Sequence, residues 1–195
     1  MPRAGLDRAA VVDLALAVVD EGGPTGFTDL TLSAVATRAG VAVPSLYKHV
    51  AGLPALRREV ALVCIQGFGD ALRAVRADHE GPDLLPAMAQ AVRDLALRSP
   101  GRYQAVQGNA WLHDPDAGGV REAAEGVVAE LADAVAALGV PPERQIDAVR
   151  AVRAAVHGFV VLELDGGFGM PDDVDDSFAF LVDGLVGGLE RLGVG

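Results

Sequence analysis

The sequence contains a single cysteine, Cys64, among its 195 residues. An internal disulfide and a zinc site built on paired cysteines are therefore excluded. Aromatic residues make up only 5% of the chain, and isoleucine is nearly absent. Alanine, valine, glycine and leucine dominate instead. The share of alanine and leucine favours helices, although valine by itself leans toward sheets.

Long apolar runs are missing as well. The longest stretch without Asp, Glu, Lys or Arg covers only residues 103–113, whereas a helix needs about 20 apolar residues to cross a bilayer. The chain does not open with a basic segment followed by an apolar one, so we expect no secretory signal peptide. These absences predict a soluble, cytoplasmic protein with no membrane partner.

Positive charge is scarce: Lys48 is the only lysine, and the formal net charge is −11. Such a charge argues at first against a nucleic-acid partner. However, residues 1–60 carry as many basic as acidic side chains, so the whole negative excess lies in residues 61–195. A neutral head on an acidic body indicates two functions in one chain.

Helix-breaking residues divide the chain into segments of helical length. Gly22, Gly23 and Pro24 end the first segment, and Gly139 ends a later one before two prolines. Apolar residues recur with the helical period, and no alternating run bounded by hairpin turns is present. We predict an all-α fold of about nine helices, over residues 7–21, 32–39, 44–50, 54–78, 84–97, 103–112, 120–138, 143–164 and 174–192.

The most informative stretch covers residues 31–56, where two short helices meet at Gly40. Small side chains at Ala36 and Ala39 allow the helices to approach closely, and Gly40 can adopt the positive φ of a sharp turn. Apolar side chains of both helices can form a shared core: Val35, Ala36 and Ala39 with Val41, Leu46 and Val50. This pattern is typical of a helix-turn-helix, although an ordinary helical hairpin would show it too.

The second of these helices projects polar side chains away from that core. Tyr47 and Ser45 can donate hydrogen bonds to phosphates, and Lys48 can neutralise one. We predict that a DNA-reading surface consists of Val43, Pro44, Ser45, Tyr47, Lys48 and His49, with Ser33 and Thr37 on the supporting helix. We refer to this set below as the reading surface.

Residues 32–41, LSAVATRAGV, followed by residues 44–50, PSLYKHV, resemble the DNA-binding domain of TetR-family transcriptional regulators. The similarity extends over about residues 8–58, and the leucine–tyrosine–x–histidine run at residues 46–49 is its most specific part. The resemblance implies that the third helix enters the major groove with Val43, Pro44, Ser45, Tyr47, Lys48 and His49 facing DNA, and with Ser33 in support.

The sequence departs from the family pattern at two positions. Val50 stands where the family usually has phenylalanine, and Leu53 stands where it usually has a lysine that contacts phosphate. Leu53 cannot make that contact. Whether Arg57 or Arg58 replaces the missing lysine stays open from the sequence.

In the second half of the chain, residues 155–163, 167–169 and 176–178 resemble a TetR C-terminal type named for a tryptophan–histidine–glycine motif. His157 and Gly158 match that motif, whereas Val156 replaces its tryptophan.

The last two predicted helices carry broad apolar stripes, which indicate association as well as an internal core. Gly184 and Gly188 lie four residues apart and permit close approach of a second helix. The predicted dimer interface comprises Val149, Val152, Val156, Val160, Phe178, Leu181, Val182, Leu185, Gly188 and Leu189. The alternative is a core within one protomer. A two-fold homodimer would place two heads on adjacent major grooves, roughly 34–36 Å apart, and would require an inverted-repeat operator.

The middle helices are expected to enclose a cavity for a small-molecule effector. Candidate lining residues are Cys64, Phe68, Met88, Tyr103, Trp111 and His157. Because none of them carries a carboxylate, lysine or arginine, they suggest a largely apolar effector. Each has a simpler alternative role, as a core residue or, for Trp111, as part of a lid.

The histidines form no i, i+4 pair, so no metal site is predicted; a metal bound by His113, Asp114 and Asp116 is less favoured than solvated surface side chains. No catalytic residue or cofactor is predicted. We therefore expect a ligand-responsive, homodimeric transcriptional repressor that binds double-stranded DNA, with a helix-turn-helix domain over residues 1–53 and a ligand-binding and dimerisation domain over residues 54–195. The alternatives are an all-helical carrier or enzyme, or an adaptor that binds another protein.

Overall fold

The computed structural model describes residues 6–107, 111 and 113–193. Within these residues the chain forms nine α-helices and three short 3₁₀-helices and no β-strand, which confirms the predicted all-α fold. The helices are α1 (Arg8–Glu21), α2 (Leu32–Ala39), α3 (Val43–Leu46), α4 (Leu53–Asp78), α5 (Leu84–Arg98), α6 (Pro100–Gln107), α7 (Gly118–Ala136), α8 (Gln145–Leu164) and α9 (Val174–Gly193). The 3₁₀ turns are Gly23–Thr25, Gly81–Asp83 and Pro142–Arg144.

Both ends of α2 are fixed by the residues that the sequence indicated. The Thr31 hydroxyl accepts a hydrogen bond from the Ala34 N–H at 3.2 Å and so satisfies an unpaired donor of the first turn. Gly40 follows the helix with φ 66° and ψ 32°, in the left-handed region that glycine adopts without a steric penalty. The Val41 N–H returns to the Ala36 carbonyl at 3.0 Å and completes the sharp turn.

The third helix is shorter than predicted. It covers Val43–Leu46 instead of residues 44–50 and continues as a hydrogen-bonded turn. The His49 N–H bonds to the Leu46 carbonyl three residues back, at 2.9 Å, which tightens the chain into a 3₁₀-like turn. Leu46 and Val50 are nevertheless both buried, so the single turn places the apolar side chains on the side that the sequence predicted.

The start of α6 was predicted wrongly. The predicted break is present at Ser99, between α5 and α6, but α6 begins at Pro100 and not at Tyr103, and the Ser99 carbonyl accepts a hydrogen bond from the Tyr103 N–H at 2.9 Å. Proline suits a first helical turn because the N–H it lacks would have no partner there. Gly101 is required because a Cβ at this position would lie 2.6 Å from the Val19 carbonyl oxygen. The predicted end at residue 112 lies outside the described residues.

The contacts of the chain define two compact units. The first contains the residues up to Gln66 together with Ser99–Ala123, and the second contains Gly67–Arg98 together with the residues from Ala124 onward. The helices α4 and α7 therefore contribute residues to both units. The division of function at residues 53 and 54 stays a prediction, because compactness assigns no function to either part.

The core of the first unit holds the helix-turn-helix together. Val35 of α2, Leu46 of α3 and Leu56 of α4 are completely buried in one apolar cluster. Val11, Ala15 and Val19 of α1 belong to the same cluster and are also completely buried. Burial of a valine or leucine side chain stabilises a fold by about 1.5–3 kcal/mol, so these contacts fix α2 and α3 against α1 and α4.

The second unit contains a buried arginine. The Arg93 side chain on α5 donates two hydrogen bonds to the Glu163 carboxylate of α8, at 2.7 and 2.6 Å. The Arg93 guanidinium also lies 2.6 Å from the Asp175 carboxylate of α9 and 5.0 Å from the centre of the Phe178 ring. These carboxylates raise the pKa of Arg93 above its usual value, chiefly through the Glu163 hydrogen bonds. One cation therefore links three helices of this unit.

The turn between α2 and α3 makes Gly40 sensitive to substitution. Nothing lies within 4 Å of a Cβ built at Gly40, so the cost of Gly40→Ala comes from its positive φ alone. We expect a loss of about 1–2 kcal/mol in the free energy of unfolding, measured by urea denaturation. The control is Gly67→Ala in the exposed interior of α4, where a Cβ also meets nothing within 4 Å. This control should gain about 0.5–1 kcal/mol, and equal effects of the two substitutions would contradict the account of the turn.

Candidate nucleic-acid interface

The turn that contains α3 has one buried and one exposed side. Leu46 is 0% and Val50 4% exposed, whereas the intervening Tyr47 is 57% exposed. Lys48 is also exposed, and His49 is partly exposed. Burial of the two aliphatic side chains therefore holds this tyrosine and lysine on the outside of the first unit.

The remaining residues of the reading surface are accessible too. Pro44 is exposed on α3, while Val43 and Ser45 are partly exposed. Ser33 and Thr37 are exposed on α2, four residues apart and hence on one face of that helix. Every member of the predicted set is available for contact, and its DNA-binding role stays a prediction at this point.

Most cations of the head are engaged by the protein itself. Arg8 donates to the Glu59 carboxylate at 2.7 Å, and Arg38 pairs with Glu21. Within residues 6–66, Lys48 is the one lysine or arginine side chain with neither an ion pair nor a hydrogen bond to a described residue. The position that the sequence assigns to phosphate contact therefore carries the free positive charge of this segment.

Neither arginine that follows Leu53 is available to replace the lysine usual in the family. The Arg57 guanidinium donates hydrogen bonds to the carbonyl oxygens of Thr28 and Leu30, at 2.6 and 3.0 Å. The Arg58 guanidinium lies 2.9 Å from the Asp114 carboxylate and 3.5 Å from that of Asp116. In the structure both side chains therefore bind groups of the first unit, and a role in phosphate contact stays untested.

The Arg58 contacts also explain how the carboxylates of residues 113–116, which were considered as metal ligands, are bound. Asp114 accepts hydrogen bonds from the Asp116 N–H and from Arg58, both at 2.9 Å. These donors hold the pKa of the Asp114 carboxyl below its usual range, with the backbone hydrogen bond as the larger cause. Among the described residues, no group of three side chains of the metal-ligating types is close enough to hold an ion.

The predicted effector-binding residues belong to different units. Cys64, Tyr103 and Trp111 lie in the first unit, and Phe68, Met88 and His157 lie in the second. Neither unit by itself assembles the whole predicted set, so the effector site stays a prediction. Burial raises the pKa of the Cys64 thiol to about 12, so the thiol is protonated at neutral pH and is a poor nucleophile.

Most of the predicted dimer stripe lies inside the protomer. Val149, Val152, Val156, Val160, Phe178, Val182 and Leu189 are buried within one chain. These residues contribute to the core of a single chain and have little surface left for a second one, so their role in a dimer interface stays a prediction. Leu181, Leu185 and Gly188 of α9 remain partly exposed.

Sequence reasoning missed the apolar side chains that the protomer leaves uncovered. Phe180 is 83% exposed on α9, and Met170 and Leu162 are 76% and 52% exposed. Phe180 stands two residues after the buried Phe178, so the two rings point to opposite sides of the helix. The signal available in the sequence was the pair of phenylalanines two residues apart, because only one of them can face the core of the protomer.

Comparison with known proteins identifies the family to which this chain belongs. A family model described as the tetracyclin repressor-like C-terminal domain matches residues 85–185. The chain is also 34% identical over 193 residues to the uncharacterized HTH-type transcriptional regulator Rv0681 of Mycobacterium tuberculosis, a match that covers 96% of this chain and 84% of the relative. The chain belongs to the TetR family of transcriptional regulators.

Further relatives agree with this assignment. The TetR-type chain is 30% identical to YobS of Bacillus subtilis, also named as an HTH-type transcriptional regulator, over 96% of this chain and 95% of the relative. Among solved structures it is similar to BioQ with its natural double-stranded DNA operator, at 26% identity and a TM-score of 0.63, over 95% of this chain and 99% of BioQ. Since the two sequence relatives are named as regulators, the prediction that the chain is not an enzyme is confirmed.

The tryptophan–histidine–glycine subtype stays a prediction from the residues of α8. Among the described residues, no helix combines the length and the apolar character that a membrane crossing requires.

Proposed function

We propose that this TetR-family regulator binds an inverted-repeat DNA operator as a homodimer, represses transcription there, and is released by a small, largely apolar effector. The observation that carries the DNA-binding part is the exposed pair Tyr47 and Lys48 above the buried Leu46 and Val50. The similarity to BioQ, whose structure contains a double-stranded DNA operator, supports the same interpretation.

Each part of the reading surface has a chemistry suited to one part of the duplex. Lys48 neutralises a phosphate, and the Tyr47 hydroxyl donates a hydrogen bond to a phosphate oxygen. Val43 and Pro44 at the start of α3 offer apolar contact to a thymine methyl group, while Ser45 and His49 can hydrogen-bond to base edges. Ser33 and Thr37 on α2 extend the phosphate contacts. Because α3 and the turn after it are short, these side chains lie close together on one exposed surface.

The charge distribution limits how the chain holds DNA. The net charge of −11 opposes non-specific binding. Lys48 is the free cation of residues 6–66, so each protomer neutralises few phosphates through that segment. Affinity must then depend on base contacts and on the correct spacing of two heads, which favours a specific site over random DNA.

The exposed apolar residues of α9 support a homodimer. Phe180, Gly184 and Gly187 are spaced so that they share one face of α9, and Phe180 projects almost completely from the protomer. Glycines on a helix face allow another helix to approach closely, and a two-fold axis lets the same face of both protomers meet. We place the interface on this outer face of α9, in place of the buried stripe predicted from sequence.

The effector part of the proposal depends on conformational selection. An effector shifts the equilibrium only if it binds the DNA-competent and the DNA-incompetent conformations with different affinities. Cys64 and Tyr103 of the first unit have buried, uncharged side chains, which support an apolar ligand. In this account, bound effector favours a conformation whose two heads no longer match the operator spacing.

The reading surface can be tested by removing its two most exposed polar side chains. The test uses a DNA duplex that the wild-type protein retains from a mixture of genomic fragments. Tyr47→Ala combined with Lys48→Ala should weaken binding to this duplex at least tenfold, because phosphate contacts are lost while the core is untouched. Loss of Lys48 from each protomer should also reduce the slope of log K against log salt by about two per dimer. Electrophoretic mobility shifts at several salt concentrations measure both quantities.

The control for this test is Arg98→Ala, which removes an exposed cation from the end of α5. It should leave affinity and salt slope unchanged, and circular dichroism should show equal helix content in all variants. Unchanged DNA binding by the double variant would contradict the assigned reading surface.

The proposed α9 interface predicts a dissociated protein when charge is introduced there. Phe180→Asp should convert the dimer to a monomer in sedimentation equilibrium, because two carboxylates would face each other across the axis. Phe180→Leu preserves the apolar contact and should remain dimeric. If Phe180→Asp sediments as a dimer, the interface lies elsewhere.

A further inference from the structure

The connection between α1 and α2 is held by side chains from α4, α6 and the loop after α6. We call residues 27–30 the connecting segment; it ends immediately before Thr31, the residue that caps α2. The Arg57 guanidinium of α4 donates to the Thr28 and Leu30 carbonyls, at 2.6 and 3.0 Å. Both hydrogen bonds come from the Nη2 atom, so one charged nitrogen bridges the backbone carbonyls on the two sides of Asp29.

Contacts from α6 and the loop after it reach the same segment. The Thr28 N–H donates to the Gln104 side-chain oxygen at 3.1 Å. The Trp111 ring meets the Phe27 ring edge-on, with 6.3 Å between their centres. Thr28 is thus bound through both its N–H and its carbonyl, by side chains of two different helices.

The position of the segment determines the position of the reading surface. Leu30 is completely buried in the apolar cluster that also contains Val35 of α2 and Leu46 of α3. A displacement of residues 27–30 must therefore move α2 or repack that cluster. Because packed cores adopt discrete arrangements instead of deforming continuously, such a displacement changes how Ser33, Thr37 and the α3 turn meet DNA.

Two donors around this segment have no acceptor. The Arg57 Nε and the Trp111 Nε1 are buried, and neither has a hydrogen-bond partner within the described part of the chain. A buried donor without an acceptor is unfavourable, because it has lost its hydrogen bonds to water and gained none in return. Both donors belong to side chains that hold the connecting segment. A second conformation of the segment that gave these donors acceptors would gain the two missing hydrogen bonds, and this gain would offset part of the cost of the rearrangement.

We propose that the connecting segment couples α4, α6 and the Trp111 loop to the DNA-reading surface, and that Arg57 is its principal positioning residue. This inference rests on the proposed DNA-binding function. Arg57 acts through the backbone of residues 28 and 30 and makes no contact with DNA. A shift of Gln104 or Trp111 reaches α2 through the same four residues.

The first test separates positioning from a direct phosphate contact. Arg57→Gln should lower the affinity for a genomic duplex retained by the wild-type protein at least tenfold, since two charge-assisted hydrogen bonds are lost. The slope of log K against log salt should stay at the wild-type value, because no phosphate contact is removed. A slope reduced by about two per dimer would overturn the proposal and assign Arg57 to phosphate instead.

Two further variants complete this comparison. Arg57→Lys keeps the charge, but its Nζ ends one bond short of the Nη2 position that reaches both carbonyls, so DNA binding should remain weakened. Wild-type affinity would identify a simple charge contact and overturn the proposal. The control is Arg144→Gln, which removes the ion pair between Arg144, in the 3₁₀ turn before α8, and Asp147 at 3.4 Å. That variant alters an arginine–carboxylate pair that involves neither α4, α6 nor the connecting segment, and it should bind with near wild-type affinity.

The second test uses the wild-type chain, so it does not depend on how a variant folds. Trp111 is the only tryptophan in the sequence, and its fluorescence therefore reports on the Phe27 contact. Saturation with the retained duplex should shift or quench this emission, whereas an unrelated duplex should not. Absence of any change at saturation would show that the Trp111 contact is not coupled to the reading surface and would overturn the proposal.

The variant that lacks Tyr47 and Lys48 distinguishes the two levels of failure. If it binds the duplex like the wild type, the proposed DNA-binding surface fails, and the coupling fails with it. If it loses binding while Arg57→Gln binds like the wild type, the function stands and only the positioning role of Arg57 is overturned.

Discussion

Burial of Leu46 and Val50 is the constraint on which the DNA-binding head depends. Both side chains lie in the core of the first unit, and the chain between them makes a single turn. Tyr47 and Lys48 must then face outward, because the two anchors leave them no room inside. Gly40 provides the left-handed residue that brings α3 back over α2 at the required point. The exposure of Tyr47 and Lys48 is thus a consequence of core packing.

Electrostatics makes the same surface selective. The chain has a net charge of −11, and within residues 6–66 the arginines hold carboxylates or carbonyls of the protein. Surface ion pairs contribute little to stability, but they remove cations from competition for phosphate. Lys48 keeps its charge available. If the proposed dimer forms, the single free lysine of residues 6–66 in each copy disfavours random DNA and favours a site that both copies contact together.

Much of the fold was predictable because it depends on local chemistry. The bounds of α2 follow from Thr31, which caps its start, and from Gly40, which ends it, and both effects act within a few residues. The start of α6 was missed because Ser99, Pro100 and Gly101 can break a helix or begin one. The packing of this helix start against α1 involves the Val19 carbonyl, which lies close to Gly101. Val19 is distant from Gly101 in sequence, so local patterns do not reveal this contact.

For the candidate site, the sequence predicted which side chains are exposed but not the contacts that hold them in position. Helical period and family resemblance indicate that Tyr47 and Lys48 point away from the core, and the structure exposes both. Neither feature reveals that Arg57 binds the carbonyls of residues 28 and 30, or that Arg58 pairs with Asp114, because these contacts join distant parts of the chain. The apolar stripe of α8 likewise predicts burial without specifying what covers it.

The central claim is that paired copies of one surface read DNA, and a selection from genomic fragments tests it most directly. The purified protein is mixed with fragments of the genome that encodes it, and the retained fragments are sequenced. The account predicts enrichment of a shared inverted repeat whose half-sites lie about one helical turn apart, 10–10.5 base pairs from centre to centre. Retention of no common sequence, or of a single site without two-fold symmetry, would contradict it.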